Sequence, residues 1–190
     1  VDIEPNECWK QYPEVYETEE ERETEFEKAI DKVIADTNLY SYLARADRIS
    51  GIGRYGVLFV GFDDGEEFDT PAPGYDENAP TATPGKSEVL YYRVFDESGV
   101  SVAEFETDKK SKRRGLPKYY TLTFEDGNTS TASLKVHWSR VIHIADNLTT
   151  SLVYGTPRME NVFNRLYDLR KINGRSEERR VGKECIRLCR

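Results

Sequence analysis

The feature that most constrains this chain is the run Tyr55-Gly-Val-Leu-Phe-Val-Gly-Phe62. Its β-branched and aromatic members and its shortness make it a buried strand, since it is too short for a membrane span and too β-branched for a helix. It is entered through Gly51, Gly53 and Gly56 and left through Asp63-Asp64-Gly65, a turn signal. The chain before it must therefore be turned tightly into a sheet.

That preceding chain reads as helix. Phe26, Ala29, Ile30, Val33 and Ile34 recur at helical spacing, and Leu39, Tyr40, Leu43, Ala46 and Ile49 continue the period to Gly51. Thr18 with Glu21 has the spacing of a capping box, and Thr37 and Asn38 offer a cap for the second helix. The Glu-rich stretch from Glu14 to Glu27 reads as a solvated helix start, favoured by the helix dipole. Residues 1–17, with Pro5, Trp9, Tyr12, Pro13 and Tyr16, read as an irregular lead-in docked through its aromatics.

Beyond Gly65 the chain reads as strands. Residues 66–87 hold four prolines and two glycines and form a long loop. Val89–Phe95 and Val100–Glu106 are strands joined by the turn Asp96–Gly99. After the basic loop Lys109–Arg114, Tyr119–Phe124 alternates with polar residues, and Asp126-Gly127-Asn128 is a hairpin turn. Ala132–Val136 and Arg140–Ile144 complete the set. Thr156 and Pro157 then open a last helix with Met159, Val162, Phe163, Leu166 and Leu169 on one face and Asn173-Gly174 as its stop. Two N-terminal helices, a mostly antiparallel sheet of about six strands and a closing helix define an α+β fold. Trp138 and Arg140 are expected to anchor a strand between helices.

The last sixteen residues differ from the rest: they carry six of the chain's 27 basic residues, three of its 35 acidic ones, and Cys185 and Cys189. The string Arg175-Ser-Glu-Glu-Arg-Arg-Val-Gly-Lys-Glu-Cys185 resembles the translation of a common sequencing adapter, so residues 175–190 are set apart as a non-native tail. Residues 1–174 then carry −11, against −8 for all 190. The one remaining thiol, Cys8, supports no disulfide frame and fits a reducing compartment. No long apolar run or leader pattern indicates a membrane span or a signal peptide. An acidic body lacks the counterion-release term that drives static binding to phosphate backbones.

Few motifs could carry chemistry. Gly51-Ile-Gly53-Arg-Tyr-Gly56 fits the spacing of a dinucleotide loop, but that loop needs a strand before it and a helix after it, and here the order is reversed. No cofactor is expected from it. His137-Trp-Ser139 fits the HxS element of two-histidine phosphoesterases, which need two such elements facing each other as acid and base. His143 has no hydroxyl two residues on, and six residues of separation would place both rings on one face of a single strand. The carboxylates of Asp63–Asp69 lack the EF-hand order, so no metal is expected. The Lys109–Arg114 loop could meet DNA phosphates or an acidic neighbour. From its residues the chain reads as non-catalytic, with no catalytic, cofactor-binding or metal residues assigned.

Three linked segments carry a resemblance. Arg45-Ala-Asp-Arg-Ile-Ser-Gly-Ile-Gly-Arg-Tyr-Gly-Val-Leu-Phe-Val-Gly61 resembles the helix-to-strand passage of tailed-bacteriophage portal proteins, the head–tail connectors. Val136-His-Trp-Ser-Arg-Val-Ile-His-Ile144 resembles their HxSR strand, and Tyr154-Gly-Thr-Pro-Arg158 the opening of the next helix in those proteins. The resemblance spans residues 20–174. It implies a non-enzymatic virion protein, assembled in the host cytoplasm as a ring, typically of twelve copies, at one capsid vertex. Double-stranded DNA would pass through non-specifically during packaging and ejection. Its partners would be further copies of itself, the terminase, the major capsid protein and head-completion proteins, with no membrane. Portal chains continue beyond this point into stem and clip segments, and this one has no initiating Met. Residues 1–174 are therefore expected to be the N-terminal part of the wing domain, lacking both ends. The alternative expectation is a phage-encoded two-histidine phosphoesterase or nuclease using His137.

Overall fold

The structure is a computed structural model, which describes residues 3–17, 24–75, 88–125, 131–160 and 162–173. The Thr18–Glu21 cap, the turn at Asp126–Asn128, the stop at Gly174 and the tail 175–190 lie outside the described residues. Residues 1–157 and 158–190 are two separate units.

In the first unit, helix α1 (Ile3–Cys8) is succeeded by an irregular stretch. That stretch docks through its aromatics as expected: Trp9 Nε1 donates to Asp47 Oδ2 at 3.0 Å, and Tyr12 stacks on Tyr40. The short helix itself was not expected, because its Pro5 reads as a breaker. Helix α2 (Glu25–Thr37) begins with a reciprocal capping box at Thr24 and Glu27. Glu27 is buried and also accepts from Glu17 N–H at 2.8 Å, so this member of the Glu-rich stretch is a structural acceptor and not a solvated charge. Asn38 does not cap α3 (Leu39–Ile52) with its side chain. It adopts φ of 54°, a left-handed residue that ends α2 and starts α3 in one step.

Six strands come next among the described residues, all paired antiparallel: β1 (Gly56–Phe62), β2 (Val89–Phe95), β3 (Val100–Phe105), β4 (Pro117–Glu125), β5 (Thr131–His137) and β6 (Val141–Ile144). They divide into two three-stranded sheets, ordered β2-β1-β6 and β3-β4-β5. The β1 run is apolar throughout because both of its faces are covered. Leu58 and Val60 join Ala46 of α3 and Tyr92 in one cluster. Val57 and Phe59 point the other way into a second cluster with Tyr120, Leu122, Phe124 and Val136 of the other sheet. The layers are thus helices, first sheet, second sheet.

The chain crosses between the sheets twice, from β2 to β3 at Asp96–Gly99 and from β5 to β6 at Trp138–Arg140. Residues Trp138–Arg140 form a 3-10 turn between β5 and β6. They do not sit between helices, as expected from sequence. Gly56 fits beneath α3, where a Cβ would stand 2.9 Å from Ala46 O.

The second unit holds helix α4, residues 162–173. Residues 158–159 are a turn, so Thr156 and Pro157 precede the helix without starting it. Phe163, Leu166 and Leu169 share its exposed apolar side.

Candidate functional site

The two histidines are the side chains whose ordinary pKa lies closest to neutral pH. They do not lie on one strand. His137 ends β5 and pairs with Tyr119 of β4, while His143 lies on β6 in the other sheet and pairs with Val57. The 3-10 turn between them breaks the strand that the spacing suggested. Tyr119 and Tyr120 are neighbours on β4 and so point to opposite faces. The His137 ring meets Tyr119, and the His143 ring meets Tyr120. The two imidazoles therefore approach β4 from opposite sides, and no single substrate can lie between them.

Each ring is also committed. His143 Nε2 donates to Val153 O at 2.8 Å, which leaves Nδ1 to accept from the Tyr120 hydroxyl at 3.2 Å. The ring stacks on Tyr55 with centroids 4.9 Å apart. Burial lowers its pKa, partly offset by the bond to Val153 O, and so keeps it neutral. Burial likewise raises the phenols, Tyr55 to about 12 and Tyr120 above the ordinary tyrosine value. These hydroxyls stay protonated and serve as donors, and Tyr55 uses its own on Val100 O at 2.8 Å.

His137 is buried, and its Nδ1 lies 2.8 Å from Ser139 Oγ and accepts from Ser139 N–H at 3.3 Å. Ser139 Oγ in turn accepts from Ala72 N–H at 2.7 Å. The hydroxyl of the HxS element is thus spent between the ring and the backbone of the loop after β1. Burial, then the cations Lys118, Arg113 and Arg140, push the His137 pKa down to about 4. A ring so hard to protonate is a poor acid at neutral pH, and the same element works instead as a clamp.

Around this clamp lies a polar hub that sequence reasoning did not assemble. Arg140 is completely buried. Its Nε donates to Thr70 O at 2.8 Å, and its Nη2 to Asp64 Oδ2 at 2.5 Å, Thr70 Oγ1 at 3.1 Å and Pro71 O at 3.3 Å. Burial pushes the Asp64 carboxyl up, but the bonds from Arg140 and the Glu66 N–H outweigh it and hold the pKa below the usual carboxylate range. Phe68 O accepts from His137 N–H at 2.8 Å. Trp138 packs edge-on to Tyr75 and carries the Arg113 guanidinium 3.3 Å from its ring centroid. One three-residue turn thereby ties the loop after β1, the β3–β4 loop and both sheets together. The signal in sequence was the contiguous Trp138-Ser-Arg140, but its partners lie about 70 residues away.

Gly155 marks a second close approach. Its N–H donates to Arg54 O at 2.8 Å, and a Cβ there would stand 1.9 Å from Asp146 O. This fixes the Tyr154-Gly-Thr stretch against the helix-to-strand passage. That passage runs from the end of α3, which holds Gly51, through Gly53 into the start of β1 at Gly56, so it is followed by a strand and not by the helix N-terminus that a dinucleotide loop requires. Among the described residues no three His, Cys, Asp or Glu side chains converge as a metal set. No described helix is long and apolar enough to cross a membrane.

Arrangement and packing define a structural module, an α+β sandwich whose layers are joined through the buried His137 and Arg140. Comparison with protein families gives that class its identity: the phage portal protein family matches residues 1–182. The chain belongs to that family, whose members are structural virion components that form homo-oligomeric rings at a capsid vertex. No curated protein matches it.

Proposed function

We propose that this chain is part of a portal subunit through whose ring double-stranded DNA is packaged and later ejected. Residues 1–174 supply the N-terminal part of the wing, and in this reading residues 175–190 are adapter-derived even though the family match runs on to residue 182. In this reading the subunit does no chemistry. The terminase, the major capsid protein and head-completion proteins meet the faces of the ring, which is assembled inside the host and carried in the virion.

The observation that carries the reading is the portal-family match over residues 1–182. The commitment of both histidines to opposite faces of β4 supports it against turnover. A net charge of −11 over residues 1–174 supports it further, because a conduit wall of the cargo's own sign disfavours sticking.

The test is immunogold electron microscopy of virions from the phage that carries this gene. Label confined to one vertex is expected, and label spread over the capsid would refute the reading. A companion assay incubates the purified chain with cyclic and linear phosphodiesters. Hydrolysis abolished by His137→Asn would establish the phosphoesterase instead.

A further inference from the structure

We propose that the β3–β4 loop of one copy of this chain seats on the 63–69 loop of a neighbouring copy. The inference rests on the ring reading above and gives that ring one of its contacts.

Two exposed loops of opposite sign share a design. In the β3–β4 loop, Lys109, Lys110, Lys112 and Arg114 are exposed and form no ion pair with another described residue, while Arg113 alone turns inward onto Trp138. In the loop after β1, Asp63, Glu66, Glu67 and Asp69 are exposed and likewise form no ion pair with another described residue, Asp69 acting on Lys135 only at longer range, while Asp64 alone turns inward onto Arg140. The acidic loop thus presents four outward carboxylates and the basic loop four outward cations beside the exposed Asp108, and each is pinned by one inward charge to the same Trp138–Arg140 turn. The turn fixes their relative position, yet no ion pair between described residues joins them.

The basic loop is held in shape before any partner arrives. Glu106 N–H donates to Leu116 O and Gly115 N–H to Glu106 O, both at 2.9 Å. Asp108 Oδ1 accepts from Lys110 N–H at 2.9 Å, and Ser111 Oγ from Arg113 N–H at 3.1 Å. Gly115 turns the chain at φ of 82°. A loop already ordered loses little entropy on docking.

Charge selects the partner. The chain is acidic overall, so two copies repel one another except where these cations meet carboxylates. Because the cations and the carboxylates stand on separate loops, a copy can offer its basic loop to one neighbour and its acidic loop to the other, the head-to-tail arrangement that builds rings. Like charges brought together there repel, and salt screens the attraction between charges farther apart than about 10 Å at 0.1 M.

The test uses the whole portal subunit, with rings counted by electron microscopy and analytical ultracentrifugation. One variant carries Lys109→Glu, Lys110→Glu, Lys112→Glu and Arg114→Glu; the other carries Asp63→Lys, Glu66→Lys, Glu67→Lys and Asp69→Lys. Each alone is expected to lower the ring fraction by about tenfold at low salt while melting as the wild type does. Mixed in equal amounts the two should restore rings, because alternating copies then match every contact. Wild-type rings with unaffected variants, or loss without rescue on mixing, would overturn this inference alone. A wild type that stays monomeric would remove the ring reading and this inference with it. A basic-loop variant that assembles normally but no longer retains duplex DNA would reassign the loop to nucleic acid.

Discussion

Breaking the Asp64–Arg140 pair should destabilise the fold more than any exposed charge change, and the two members should not act independently. Arg140 is fully buried, and Asp64 is its one carboxylate partner among the described residues. Asp64→Asn leaves a guanidinium in the interior with carbonyls and a neutral amide for company. Removing one member of a buried pair costs about 3–5 kcal/mol, mostly because the other charge is stranded. Asn keeps one acceptor oxygen, so a loss at the low end, about 3 kcal/mol, is expected. Arg140→Met removes the charge together with the donors that satisfy Thr70 O and Pro71 O, and about 3–4 kcal/mol is expected.

With Arg140 already gone, Asp64 sits close enough to the surface to turn to water. Adding Asp64→Asn to Arg140→Met should therefore cost no more than about 0.5 kcal/mol, giving a coupling of about 2.5 kcal/mol between the sites. Both losses are large against the roughly 5–15 kcal/mol that holds a domain of this size. Urea unfolding followed by tryptophan fluorescence reads them, since Trp138 adjoins Arg140 in the turn. Costs that add to within about 0.5 kcal/mol, or single losses below about 1 kcal/mol, would refute the hub.

The same geometry makes further outcomes testable. His137 stays neutral in the folded chain down to about pH 4 but takes a proton at about 6.5 when unfolded. Its contribution is therefore whole above pH 6.5 and falls away by about 3 kcal/mol as pH drops toward 4. His137→Asn, which keeps an acceptor for Ser139 N–H, should flatten that part of the stability–pH curve; an unchanged slope would count against the buried neutral ring. Gly155→Ala drives a methyl into Asp146 O and should cost about 3 kcal/mol in a melt, whereas tolerance would show that the 146–155 segment is free to move. Trp138→Ala removes the platform for Arg113 and Tyr75 and should cost about 3 kcal/mol, at the low end for a tryptophan because the ring is only partly buried.

Much of the site was absent from the sequence for a physical reason. The Gly51–Gly56 stretch was readable as a helix-to-strand turn because a glycine-rich approach is a local requirement. The Thr24–Glu27 box carries the same kind of signal, yet Thr18–Glu21 has equal spacing, and nothing local separates them. His137 and His143 looked like neighbours on one strand, because a three-residue 3-10 turn leaves no mark in hydrophobic alternation. Arg140 looked like a strand anchor, and its partners at Asp64 and Thr70 could not be inferred, since the pairing depends on how a long loop closes.

Alone, the sequence determined the kind of most elements and their approximate extent, because the apolar period of a segment records which of its own faces is buried. It also carried the portal resemblance, in contiguous strings that need no folding to be recognised. Tertiary structure alone decided that six strands divide into two sheets, that the histidines part to opposite faces of β4, and that one turn pins two oppositely charged loops. Those are matters of which distant residues meet, and pairing across about 70 residues is settled by layer packing and burial and not by any local preference.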